Sequence, residues 1–152
     1  MSKEKTIHTC ARLAGVLLLM SSVLHSTLGT SEVLMGIKTG DVRASMADTI
    51  RAIWIYSTIM LVLSGIWTLF LAGELKQLKR KAWWQGIFIG LGYTGGSIGA
   101  IVVTRVQAHL IFYGLIGLLL LLPLTLWAGS FKSEKKLRPT VASGSTATTQ
   151  KL

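Results

Sequence analysis

Four stretches of this chain contain no Asp, Glu, Lys or Arg: residues 13–31, 52–73, 82–104 and 106–131, of 19, 22, 23 and 26 residues. Each is long enough to carry an α-helix across bilayer hydrocarbon, which takes about 17–25 residues. A water-soluble helix buries one stripe and shows charges every three or four residues on its other face. These segments show none, and "GLLLLLPLTLW" (117–127) is almost wholly apolar. A membrane barrel would need alternating segments of about ten residues, which are absent. The sequence therefore predicts an all-α, integral membrane four-helix bundle. Its domain covers residues 1–131, with spans at about 11–31, 51–73, 82–104 and 106–131. Composition agrees: charged residues are 14% of the chain, against about 25% in soluble domains.

The distribution of cations predicts orientation. With the amino terminus inside, cytoplasmic segments hold 12 of the 16 Lys and Arg, and the outer segments hold only Lys38, Arg43, Arg51 and Arg105. Acidic residues divide evenly between the sides. Cation excess in short loops sets topology, so both termini are expected in the cytoplasm. A net charge of +10 could suggest nucleic acid, but "ELKQLKRK" and "FKSEKKLR" flank helix ends. Anionic lipid headgroups account for them as partners, and no nucleic-acid partner is expected. Lys3, Lys5 and Arg12 before "LAGVLLLMSSVL" also fit a cleaved signal peptide. The uncharged stretch is long for that, so the first span is expected to be retained. The tail, residues 132–152, is basic and rich in Ser, Thr and Gly, and is expected to be disordered in the cytoplasm. Cys10 is the only cysteine, which excludes an internal disulfide or a cysteine metal cluster.

In the third span, Gly86 and Gly90, Gly92 and Gly96, and Gly95 and Gly99 are each four apart. This spacing lets helix backbones approach closely where lipid supplies no hydrophobic drive. The third span is thus expected to be the central packing element, or the face by which the protein forms a homo-oligomer or joins a larger membrane complex. On this reading Gly95→Leu or Gly96→Leu damages folding more than Leu119→Ala or Leu120→Ala. Pro123 is expected to kink the fourth span. Trp54, Trp83, Trp84 and Trp127 fall near span ends, as interfacial tryptophans do.

Polar groups inside the spans gather in the predicted outer half: His25, Arg51, Tyr93, Ser97, Arg105, His109 and Tyr113. His25 precedes Glu32 by seven residues, two turns of a regular helix, which puts both on one face. Arg51, Trp54 and Thr58 share a face of the second span, and Arg105, His109 and Tyr113 a face of the fourth. Ionisable residues within spans usually face a bundle interior or a water-filled cavity. The sequence therefore predicts an outward-opening polar pocket, with His25 and Glu32 as an acid/base pair and Arg51, Trp54, Tyr93, Arg105, His109 and Tyr113 binding a small or lipophilic ligand. Haem ligation by His25 and His109, or a metal held by these and Glu32, is the minor alternative; no metal or cofactor is expected. Glu32 to about Asp48 reads as a long connection lying over the pocket as a partial lid, with Ser45 and Asp48 as a capping box for the second span.

The segment "VLHSTLGTSEVL" followed by "IRAIWIYSTIMLVLSG" resembles small four-span bacterial membrane proteins. These carry Leu-His-Ser, a glycine three residues later, and Arg-x-x-Trp at the start of the next span. The resemblance covers Leu24 to Ser26, Gly29, Arg51 and Trp54, and DoxX-like proteins are a more distant comparison in size and span count. It implies the bacterial cytoplasmic (inner) membrane and singles out His25, Arg51 and Trp54, but implies no substrate. Two functions remain open at this stage: a ligand-binding pocket, with or without acid/base turnover, and a non-catalytic accessory subunit docking through the glycine-rich span.

Overall fold

The computed structural model describes residues 2–40, 43–103 and 108–131. Every element among them is helical. Helix α1 spans Lys3–Leu24, a single π-helical turn His25–Gly29, α2 Thr30–Thr39, α3 Ala44–Lys76, α4 Arg80–Val103 and α5 Ala108–Leu126, before a short 3-10 turn at Ala128–Ser130. Among the described residues four helices are long and apolar enough to cross a membrane: Lys3–Thr39, Ser45–Lys76, Arg80–Val103 and Ala108–Leu126. Large apolar side chains are exposed along them, among them Phe70 at 76% and Phe88 at 70%. Water-soluble monomers rarely tolerate such continuous apolar surface, and it suits helices long and apolar enough to cross a membrane.

The first of these helices runs unbroken through α1, the π turn and α2, 37 residues in all, or about 55 Å at 1.5 Å per residue. The expected lid from Glu32 is therefore helical as far as Thr39. Gly40 ends it in the left-handed conformation, at φ 82°, which glycine adopts without the steric cost of a Cβ. The expected capping box is displaced as well. Helix α3 starts at Ala44, its N-cap is Arg43 with no side-chain cap bond, and Asp48 instead pairs with Arg51 at 3.2 Å.

The bundle has two unlike ends. The terminal end carries the amino terminus, the tight α3–α4 turn and Phe131, and the hairpin end carries the α2–α3 and α4–α5 connections. At the terminal end α1 supplies Ile7, Ala11, Ala14 and Leu18 to the core, a stripe spaced four, three and four residues apart that one helix face presents. Leu71, Leu75, Ala82, Ile87, Leu120 and Leu124 close around it. Trp83, expected at an interface, is buried at 9% exposure. Its indole donates to the Leu124 carbonyl at 2.8 Å, one of the terminal carbonyls of α5 that lack a helical donor. Pro123 is buried one turn from the end of α5.

Helix α1, not the glycine-rich α4, is the central element: it packs along α3 and α5, α5 packs along α4, and α3 and α4 touch little. The close crossings use other glycines. A Cβ on Gly15 would lie 3.1 Å from the Gly65 carbonyl of α3, and one on Gly65 3.1 Å from the Leu19 backbone nitrogen. Gly117 of α5 meets Gly90 and Thr94 of α4, with 2.7 Å to backbone atoms of each. Of the expected stripe, Gly86 and Gly90 do pack on α5, but a Cβ on Gly92, Gly95, Gly96 or Gly99 meets nothing within 4 Å. The expected ranking of leucine substitutions is thereby reversed, because Leu120 is a core residue at 2% exposure whereas Gly95 and Gly96 face open space.

Candidate functional site

The π turn is where the site begins. Its five residues, His25–Gly29, bond i to i+5 and so insert one residue into the helical repeat. One extra residue rotates everything beyond it by about 100°. His25 and Glu32 therefore do not share a face: Glu32 is exposed and makes no contact with the imidazole. The expected acid/base pair does not exist in the fold.

What His25 has instead is a tryptophan. Its ring stacks on Trp54 of α3 at 3.7 Å between centroids and 14° between planes. Gly29 makes that possible, since a Cβ there would overlap Trp54 Cζ2 and lie 3.0 Å from Cη2. The far edge of the indole donates from Nε1 to Thr30 Oγ1 at 3.1 Å. Below the stack, His25 Nε2 meets Ser57 Oγ at 3.0 Å. Ser57 Oγ also reaches the Trp54 carbonyl at 2.8 Å, so the hydroxyl ties the imidazole to the α3 backbone, with donor and acceptor set by the ring's tautomer. His25, Gly29, Thr30 and Trp54 thus form one stacked unit pinning the first span to α3.

Beside this unit lies an open cavity of about 340 Å³, lined from all four long helices by His25, Tyr56, Ser57, Met60, Leu61, Gly92, Tyr93, Gly96 and Tyr113. Its wall is almost entirely apolar. It exists because α3 and α4 stand apart here, and Gly92 and Gly96 put no side chain into the gap. The Tyr93 and Tyr113 rings lie 6.2 Å apart. The Ser21 and Tyr113 hydroxyls are hydrogen-bonded at 2.9 Å. Tyr93 is within hydrogen-bonding reach of Ser64.

Of the residues expected in the pocket, His25, Tyr93 and Tyr113 line it. Trp54 holds His25 from behind. Arg51 is turned to the surface on Asp48 and has no part in the cavity. His109 is exposed on α5 and close enough to His25 for their charges to interact, but it does not line the cavity. Arg105 lies outside the described residues. Among the described residues no group of three or more His, Cys, Asp or Glu stands together, so Glu32 does not complete a metal site with the two histidines. Ser57, Tyr56, Met60 and Leu61 were not anticipated. Ser57 follows Trp54 by three residues, a spacing that puts it on the same face of α3 and could have revealed it. Comparison with family models, curated proteins and solved structures finds no match to this chain.

Proposed function

We propose that this protein binds a small lipophilic ligand in the membrane, in the cavity between α3 and α4 at the hairpin end. The observation that carries this reading is the convergence of His25, Tyr93 and Tyr113 on one apolar, laterally open space of about 340 Å³, near the low end of ordinary small-ligand sites. A few hydrogen-bonding groups in an apolar wall orient a ligand that arrives from lipid. With no carboxylate beside His25 among the described residues, the site is read as a binding site rather than an acid/base centre. The stack of His25 on Trp54 then holds the imidazole in the cavity wall. Under the cation rule the terminal end, with Lys76, Lys79, Arg80 and Lys81, faces the cytoplasm of a bacterial inner membrane and its anionic lipids, and the cavity lies in the outer half.

The test uses octan-1-ol carrying a photoreactive diazirine at its chain end, irradiated with the protein in membranes. Saturable labelling of peptides containing His25 or Tyr93 is expected. It should be lost in Gly96→Leu, which fills the cavity, and kept in Gly95→Leu, which does not. Labelling that persists in Gly96→Leu rejects the site.

A second reading is favoured by the open backbone at Gly95 and Gly99, flanked by Leu91, Ile98 and Val102, all exposed. This face of α4 suits a second copy or a larger complex. In a Cys10→Ser background, Ile98→Cys should then form disulfide-linked dimers in native membranes; a monomer under oxidising conditions rejects that reading.

A further inference from the structure

The cavity at His25 is not isolated. It shares Gly92 and Tyr93 with a second space of about 320 Å³, which reaches Ser64 and Ile89. That space shares Ser64 and Ile89 with a third of about 460 Å³, walled by Leu63, Ile66, Trp67 and Phe70. The third in turn shares Trp67 and Phe70 with a fourth of about 390 Å³ at the terminal end, where Glu74, Lys81 and Gln85 form the rim. Together they make one groove along the seam where α3 and α4 fail to pack. Along α3, Ser57 to Phe70 is 13 residues, about 20 Å at 1.5 Å per residue. That exceeds half of the roughly 30 Å hydrocarbon thickness, so the groove takes an extended chain rather than a compact molecule.

Polarity changes along it. The His25 end offers an imidazole and hydroxyls but no ammonium, guanidinium or carboxylate among its lining residues. The middle is aliphatic and aromatic. The Tyr113 hydroxyl, paired with Ser21 at 2.9 Å, keeps further hydrogen-bonding capacity toward the cavity, and it suits a ligand oxygen.

We infer that the ligand is a single-chain lipophile with an uncharged, oxygen-bearing head, such as a long-chain alcohol or carbonyl compound. Its head lies at His25 and Tyr113, and its chain runs down the α3–α4 groove past Ile89 to Trp67 and Phe70. This rests on the cavity reading above and adds the ligand class and the chain path. A phospholipid fits less well, since its charged head would meet no opposite charge at the His25 end. In hydrocarbon, burying a chain gains little against lipid, so position rather than affinity is the telling measurement.

Hexadecan-1-ol carrying a diazirine at mid-chain would be irradiated with the full-length protein in membranes, beside the octan-1-ol probe. Adducts should concentrate on residues 63–70 and 89–92, and excess plain hexadecan-1-ol should reduce them at least fivefold. Gly96→Leu, which blocks the head site, should reduce them similarly. Ile66→Trp, which fills the third space beyond the His25 cavity, should abolish the hexadecanol adducts while leaving octanol labelling intact. If octanol labels the cavity but hexadecanol marks exposed positions such as Phe88 and Leu115 equally, the chain path is wrong and the cavity stands. If neither probe labels saturably, both readings fall. Competition by phosphatidylglycerol stronger than by hexadecan-1-ol would overturn the uncharged head.

Discussion

Gly29→Ala is the smallest change that reaches the site. The new methyl would overlap Trp54 Cζ2 and stand 3.0 Å from Cη2, so the indole must move. It is not a free side-chain end: one face is stacked on His25 at 3.7 Å and its nitrogen is bonded to Thr30 at 3.1 Å. Displacing the ring forfeits a stack of about 0.5–1.5 kcal/mol and a hydrogen bond of about 0.5–1.5 kcal/mol. Replacing a helical glycine by alanine returns about 0.5–1 kcal/mol of backbone entropy. The net expectation is a loss of about 0–2.5 kcal/mol, centred on ~1 kcal/mol, measured by reversible unfolding of the purified protein in mixed micelles. Gly36→Ala, in α2 with nothing within 4 Å, is the control and should gain about 0.5–1 kcal/mol from the same entropy. Trp54→Phe removes the atoms that the new methyl would strike, so Gly29→Ala should cost less in that background, a non-additivity expected of contacting residues. Equal stability of the two alanine variants, or strict additivity with Trp54→Phe, would refute the stacked unit.

Gly117→Ala should destabilise by about 1–3 kcal/mol, because its Cβ would sit 2.7 Å from backbone atoms of Gly90 and Thr94; Gly99→Ala should be neutral or slightly stabilising in the same unfolding assay. Trp83→Phe strips the donor from the buried Leu124 carbonyl and leaves a smaller ring under Arg80, whose guanidinium carbon is 4.1 Å from the indole centroid; a cost of about 1–3 kcal/mol is expected, with little from Trp84→Phe. A reporter active only outside the cytoplasm, fused after Leu152, should give no signal, while Thr39→Cys in a Cys10→Ser background should react with an impermeant thiol reagent added to intact cells; the opposite pair of results would invert the proposed topology.

The four-helix architecture was legible because it depends on a quantity a sequence displays directly, uncharged length. Part of the grouping was legible too, since His25, Tyr93 and Tyr113 line one cavity. Their partners were harder to read. The His25 and Glu32 pairing assumed a uniform helix, and one π turn shifts the frame. The turn leaves no sequence mark beyond Gly29, whose role appears only when Trp54 arrives from another helix. Arg51 shares a stretch of α3 with Trp54, but an acidic neighbour three residues before it on the same helix holds it at the surface.

The glycines teach the same lesson in another form. Regular spacing in α4 marked a face able to approach a neighbour, yet only its terminal-end portion does so. The crossings that hold the bundle set glycine against glycine from another helix, Gly15 against Gly65 and Gly90 against Gly117, pairings that no single helix's sequence displays. In water the remaining gap between α3 and α4 would collapse, because exposed Trp67, Phe70 and Phe88 would be driven together. In hydrocarbon that drive is missing, and helices close only where van der Waals packing rewards contact. The terminal half meets that condition through Ile7, Leu18, Leu75 and Leu124, all at most 1% exposed. The hairpin half does not, since small Gly92 and Gly96 oppose Met60 and Tyr56 across a space neither fills. The groove therefore follows from an uneven distribution of side-chain volume along two helices whose solvent, lipid, exerts no pressure to shut it.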